Sequence, residues 1–178
     1  MEATATHPDV LKYREAQLKV DVELQKGVKN PLFFNLFLLK SLPMGFIAGL
    51  KVESLSLEKC VVTVPYRWLN KNPFQSTYFA VLAMAAEMSS GLMSMMGTFK
   101  SKPSVAVLVT GIEAEFVKKA TTFTTFTCED GRLIRDAIEL AISTGEGTTC
   151  RTVSTGVSKD GIVEARFWVT WSFKRRGK

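Results

Sequence analysis

Histidine is almost missing: the 178-residue chain holds one, His7, in a polar leader. Serine and cysteine triads, most metal hydrolases and histidine-dependent dehydratases all place a histidine in the site. Chemistry here has to run on carboxylate, amide, hydroxyl and backbone groups. Cysteine is scarce and odd in number. Cys60, Cys128 and Cys150 are far apart and match neither a metal-ligand spacing nor a disulfide framework. Each lies in a strand-like run, where a thiol acts as a small hydrophobe. No metal and no cofactor is expected. No run of about twenty apolar residues is free of interruption, so membrane insertion is not expected either. The opening stretch, MEATATHPDVLKYREAQ, lacks the charged-then-apolar profile of a signal peptide. The expected compartment is a reducing cytoplasm.

Acidic residues are outnumbered by basic ones, giving a net charge of +6. The basic residues are scattered, except for Lys174-Arg175-Arg176 and Lys178 at the end of a final strand. Such a cluster fits a solvated strand end better than a phosphate-reading surface, so no nucleic-acid partner is expected. It is compatible with attraction to an anionic ligand such as a coenzyme A tail. A hydrophobic share of 46% and a charged share of 22% suit an ordinary globular chain with one core.

Residues 9–26 are rich in helix formers and reach Gly27, a helix stop. Asn30-Pro31 reads as the cap and first position of a short apolar helix, LFFNLFLLK, closed by Pro43 and Gly45. This helix either covers the core or lines an acyl-sized pocket. Residues 46–66 read as two strands with a turn near Glu58-Lys59. A helix is expected from Thr77 to Met96, with Ser76 or Thr77 able to cap it. In SVAVLVTGIEAEFV the alternation changes parity at Thr110-Gly111, which predicts a bulge there. TTFTTFTC is a further strand. RLIRDAIELAIS is a second helix, with Leu133, Ile134, Ala137, Ile138 and Ala141 on its apolar face. The last two strands form a hairpin around Lys159-Asp160-Gly161, and Val163, Ala165, Phe167, Val169, Trp171 and Phe173 share one face. The strands and helices do not alternate regularly, which predicts an α+β fold with an antiparallel sheet. The helix near 77–96 is apolar nearly all round, as for a helix wrapped by sheet. The expected organisation is a helical leader at 1–43 packed on a domain at 44–178.

One carboxylate interrupts that helix. Glu87 has no other charged residue between Lys71 and Lys100. An ionised carboxylate buried without a partner is costly by several kcal/mol. Val81, Met88, Leu92, Met95 and Phe99 form a bulky stripe. The helical neighbours of Glu87 are Ala80, Ala83, Met84, Ser90, Gly91 and Ser94, nearly all small. Two readings fit. Small residues can let another helix approach closely, with Glu87 neutral or paired. They can equally leave room for a substrate beside a carboxylate whose pKa the environment tunes.

The stretch NPFQSTYFAVLAMAAE resembles the signature of hot-dog-fold thioesterases of the phenylacetic-acid-degradation type. That signature is Asn, five residues, His-Gly-Gly, then Asp or Glu in the second or third turn of the central helix. Asn72 and Glu87 stand fifteen residues apart, the spacing of the family's asparagine and acid. VTGIEAEFVKKA resembles the family's following strand. The resemblance covers residues 45–173 apart from the inserted helix, in a branch with Tyr78-Phe79-Ala80 in place of His-Gly-Gly.

The resemblance implies a hot-dog fold, with an antiparallel sheet wrapped around the long central helix. It implies a homodimer, or a tetramer built from it, with sites at the subunit interface. It also implies hydrolysis of an acyl-CoA or related acyl thioester. Glu87 and Asn72 would be catalytic, Glu87 as general base or nucleophile and Asn72 orienting the carbonyl or water. The substrate would lie against Gln75, Thr77, Tyr78, Phe79, Ala80, Ser90 and Gly91. Amides at Tyr78 and Phe79 of one subunit would face Glu87 of the other. Asn72 and Gln75 also read as loop formers. Tyr78 lacks the acid–base behaviour of histidine, and Phe79 and Ala80 carry Cβ atoms where the family uses glycine. The alternative is a non-catalytic acyl-thioester-binding or regulatory module of the same fold.

Overall fold

The computed structural model describes residue 4 and residues 6–177. Lys178, the last member of the basic cluster, lies outside the described residues. Strands β1 (Lys51–Leu55), β2 (Cys60–Val64), β3 (Val105–Phe116), β4 (Thr124–Cys128), β5 (Thr148–Ser158) and β6 (Val163–Arg175) form one antiparallel sheet. Their order is β1-β2-β4-β5-β6-β3. Helix α1 (Pro8–Lys29), α2 (Pro31–Ser41) and α3 (Pro43–Ala48) precede the sheet. The central helix α4 (Phe79–Thr98) follows β2, and α5 (Gly131–Thr144) lies between β4 and β5.

The alternation of β6 explains how α4 is held. Ala165, Phe167, Val169, Trp171 and Phe173 are buried on one face, joined by Phe126 and Cys128 from β4 and Val62 from β2. Against them lie Leu82, Ala85, Ala86, Met88, Leu92, Met93 and Met96 of α4. By length and composition α4 could cross a membrane. Twelve of its twenty residues are instead buried in this core. This is the hot-dog arrangement that the resemblance implies.

The bulge expected at Thr110-Gly111 is present: β3 slips against β6 between Val109 and Gly111. β3 is also an edge strand, paired only with β6, and it exposes Val107, Leu108, Ile112 and Phe116. The hairpin at Lys159-Asp160-Gly161 forms as expected, with Gly161 at φ 78°.

Three boundaries and one helix face differ from the sequence reading. α1 does not stop at Gly27 but runs to Lys29, because the missing side chain of Gly27 makes room for the Phe33 ring. The stop is Asn30, whose Oδ1 accepts from Leu32 and Phe33 N–H as the cap of α2. Residues 46–48 are helical rather than extended; α3 ends at Gly49, at φ 73°. α4 begins at Phe79, two residues late, since Thr77 donates its amide and hydroxyl to Ala120 O instead of capping. On α5 it is Ile142 that is buried, and Leu133 is exposed.

The leader helix is fastened by polar contacts from its inner face. Tyr13 Oη donates to Gly97 O at 2.9 Å, and Gln17 donates to Met96 O and Phe99 O at the end of α4. Arg14 grips Glu139 of α5 with two hydrogen bonds of 2.7 and 2.6 Å, and Arg135 pairs with buried Asp21 at 3.4 Å. His7 caps α1 by accepting from Asp9 N–H.

Gly131 sets the seat of α5. A Cβ there would lie 2.1 Å from Leu57 O and 2.6 Å from Glu58 Cα, and its N–H donates to Glu58 O at 3.1 Å. Both obstacles are backbone, so Gly131→Ala forces the β1–β2 turn away from α5. The expected cost is about 2 kcal/mol. It is read as a lower urea midpoint at an unchanged m-value.

Candidate active site

Two of the clefts along α4 hold residues that the sequence singles out. The first, about 840 Å³, lies at the start of the helix between the 71–79 loop and the end of β3. Asn72 builds this loop. Its Oδ1 accepts from Phe74 N–H, Ser76 N–H and Ser76 Oγ–H, and its Nδ2 donates to Ser76 Oγ at 3.0 Å. Asparagine favours such local turns because its short amide imitates a backbone group. Gln75 sits at φ 58°, with its carbonyl accepting from Tyr66 Oη–H at 2.9 Å, and its side chain does not line the cleft.

The helix start is left uncapped. Tyr78 occupies the N-cap position but makes no side-chain cap, and its own N–H is tied to Asn70 O at 2.7 Å. Among the described residues, no acceptor meets the N–H groups of Phe79 or Ala80. These two amides, rather than those of Tyr78 and Phe79, are the donors at the positive end of the helix. An edge-to-face aromatic series from Tyr78 through Phe79, Phe116 and Phe167 to Phe126 anchors the helix start to the core. Lys71, Lys118 and Lys119 line the same cleft and are exposed.

The second cleft, about 210 Å³, lies two helical turns further on. Ser41, Leu42, Pro43, Met44, Gly45 and Leu50 form one side, and Met84, Glu87 and Met88 form the other. Glu87 is the sole acidic group lining it. Its carboxylate lies over Gly91, where an added Cβ would be 2.8 Å from Glu87 Oε1 and 3.4 Å from the Trp171 ring. Trp171 Nε1 donates to Ser90 Oγ at 3.1 Å, and Ser90 Oγ donates to Glu87 O at 3.2 Å. Ser90 and Gly91 neighbour Glu87 on the helix, but neither lines the cleft, and Ser90 is buried. The serine hydroxyl is engaged by backbone and indole, while glycine clears space for the acid.

Among the described residues, no side chain pairs with the Glu87 carboxylate. Burial alone holds its carboxyl above the usual carboxylate range. No cluster of potential metal ligands occurs among the described residues.

Within one chain the two clefts do not form one reaction centre. Phe79 and Glu87 are eight residues apart on one straight helix, about 12 Å along its axis. The sequence reading missed Trp171 and the Leu42–Met44 wall. Trp171 showed only as one apolar position of an alternating strand, and the wall straddles the boundary drawn between leader and domain, with Leu42 and Pro43 on one side and Met44 on the other.

The raised pKa carries a stability consequence. The folded chain holds the Glu87 proton at a pH where the unfolded chain has released it, so ionised Glu87 subtracts from stability at neutral pH. The penalty fades as pH falls through the raised value and is gone below the unfolded one. Glu87→Gln is therefore expected to melt at a higher temperature than wild type at pH 7. The gap should close as thermal scans are taken into the ordinary glutamate range.

A protein-family model described as Domain of unknown function (DUF4442) matches residues 30–142. No curated protein matches the chain. Solved structures share its fold at low identity. A protein of unknown function from Pseudomonas aeruginosa, called a probable thioesterase, is 18% identical with a TM-score of 0.69. That match covers 83% of this chain and 97% of the other. A thioesterase from Haemophilus influenzae is 13% identical, TM-score 0.61, covering 82% and 91%. A mutant thioesterase from Pseudomonas aeruginosa is 15% identical, TM-score 0.62, covering 80% and 91%. With the family model spanning well over half of its length, this hot-dog-fold chain belongs to the DUF4442 family.

Proposed function

We propose that the protein is a cytoplasmic hydrolase of acyl-CoA or a related acyl thioester, acting as a homodimer. The observation that carries this reading is Glu87: a desolvated, unpartnered carboxylate on the wall of an apolar cleft. A raised pKa makes it a stronger base than a surface glutamate, which suits proton abstraction near neutral pH. Glu87 takes a proton from water, and the hydroxide attacks the thioester carbonyl carbon. The carbon–sulfur bond then breaks, and the leaving thiolate takes up the proton, giving a carboxylic acid and a thiol. Direct attack by the carboxylate would pass through a mixed anhydride that water then opens.

The tetrahedral oxyanion needs donors, and the Phe79 and Ala80 amides are free to supply them. They are too far along the helix to serve the Glu87 of their own chain. Pairing of two copies through β3 is the arrangement that would bring one chain's amides to the other's acid. In its favour, β3 is a twelve-residue edge strand with exposed apolar side chains, the kind of edge that otherwise invites aggregation. Asn72 enters this mechanism as the residue that shapes the loop before the amides. Lys71, Lys118 and Lys119 lend the first cleft the positive charge that a carrier phosphate requires. A non-catalytic thioester-binding module is the second reading, favoured by the Cβ atoms of Phe79 and Ala80 where glycine would admit a ligand closely.

Thiol release from a panel of acyl-CoAs tests hydrolysis. Glu87→Gln is expected to lower turnover by about a hundredfold or more while binding persists. Binding without thiol release by wild type would establish the module instead. The shared site has its own test. Phe79→Pro removes one amide at a position where proline fits a helix start, after the extended Tyr78. Neither Glu87→Gln nor Phe79→Pro alone should be active. Subunits of the two, mixed and re-equilibrated, should recover about a quarter of wild-type turnover, since half the dimers then hold one intact site. No recovery would place both groups' function within one chain.

A further inference from the structure

The face of α2 turned away from the core is one of the most apolar exposed surfaces on the molecule. Phe34 and Leu38 anchor the helix in the core. Leu32, Phe33, Leu36 and Leu39 lie outside, with Leu32 at 80% exposure. On a helix these four positions fall on one side. Met44 and Ile47 of the adjoining α3 are also exposed. The turn at Trp68–Asn70 is tied to the end of α3, since Asn70 Nδ2 donates to Ala48 O at 2.9 Å and Arg67 donates to Ile47 O. That turn exposes Trp68 at 83% and Leu69 at 57%. Neighbouring elements thus present aliphatic residues together with a tryptophan that nothing covers.

Cations outnumber acids around this surface, where exposed Glu23 lines the groove beside Phe33. From Leu24 to Val52 the chain contains no aspartate or glutamate, and it carries Lys26, Lys29, Lys40 and Lys51, all exposed. Arg67 adds a fifth cation beside α3. We propose that α2, with α3 and the Trp68 turn, docks the protein on the surface of an anionic lipid bilayer. α2 would lie in the plane of the interface, with its leucines among the acyl chains and its lysines at the phosphate level. An eleven-residue helix cannot cross the hydrocarbon, about 30 Å thick, at 1.5 Å per residue. It has the composition of an interfacial one: a compact apolar face, flanking lysines, and an exposed indole nearby. A second copy is a poorer occupant. A two-fold contact through this face would bring the lysines of the two copies, Lys29 and Lys40 among them, close together.

This inference goes beyond thioester hydrolysis and does not rest on it. The test is co-sedimentation of the full chain with vesicles of phosphatidylcholine alone and of phosphatidylcholine mixed with phosphatidylserine. Binding is expected to the mixed vesicles and to weaken with added salt. Leu32→Gln/Leu36→Gln should reduce it about tenfold or more with the melting temperature maintained, because both side chains are exposed. Lys29→Gln/Lys40→Gln, which leaves the apolar face intact, should also reduce it. Failure of wild type to sediment with the mixed vesicles would overturn the proposal. So would equal binding to both vesicle types, or light scattering in which the leucine variant falls to a smaller assembly, since either assigns the face to another occupant.

Discussion

Enclosure of one apolar helix by a curved antiparallel sheet is the constraint on which the rest of the molecule depends. α4 is apolar on nearly every side, so it is stable only where apolar surface surrounds it. β2, β4, β5 and β6, with part of β3, supply that surface from the sheet, and α1, α3 and α5 pack against the helix as well. The same enclosure creates the chemical features. A carboxylate placed in such a helix loses water, which is why the Glu87 carboxyl is held above its usual range. A helix start positioned by Asn70, Thr77 and Ala120 rather than by a capping side chain leaves two amides unanswered.

Small residues decide where this tightly packed core leaves room. Gly91 clears the place of the Glu87 carboxylate, and Trp171 closes that place from the sheet. Ser90, locked between the indole and the backbone, keeps the indole in register with the acid. The leader serves the same geometry from the other side. Tyr13 and Gln17 hold the far end of α4, while the α2–α3 junction supplies the apolar wall opposite Glu87. Residues 41–45, far before the motif in sequence, thus line the same cleft as its acid.

Much of this was legible in the chain itself. The β6 alternation named the face that covers α4, and the parity change at Thr110-Gly111 named the bulge. Asn30-Pro31 named the start of α2. These features are local: side-chain period, turn chemistry and capping depend on residues within a few positions of one another. Gly27, Thr77 and residues 46–48 misled for the complementary reason. A glycine that reads as a stop served instead to admit Phe33. A threonine that reads as a cap found a better acceptor in Ala120, forty-three residues away. A partly alternating run became helix once Pro43 started it and Gly49 ended it.

The sequence by itself determined that Glu87 is the one acid of the central helix, and that small residues stand beside it. Composition and 3.6-residue periodicity settle this without regard to the fold. Only the tertiary structure decided what that acid meets. Trp171 and the Leu42–Met44 wall come from segments that share no local pattern with the central helix. The reason is physical: desolvation and unanswered hydrogen-bonding groups depend on which distant segments pack together. That packing follows from how the whole sheet closes around α4.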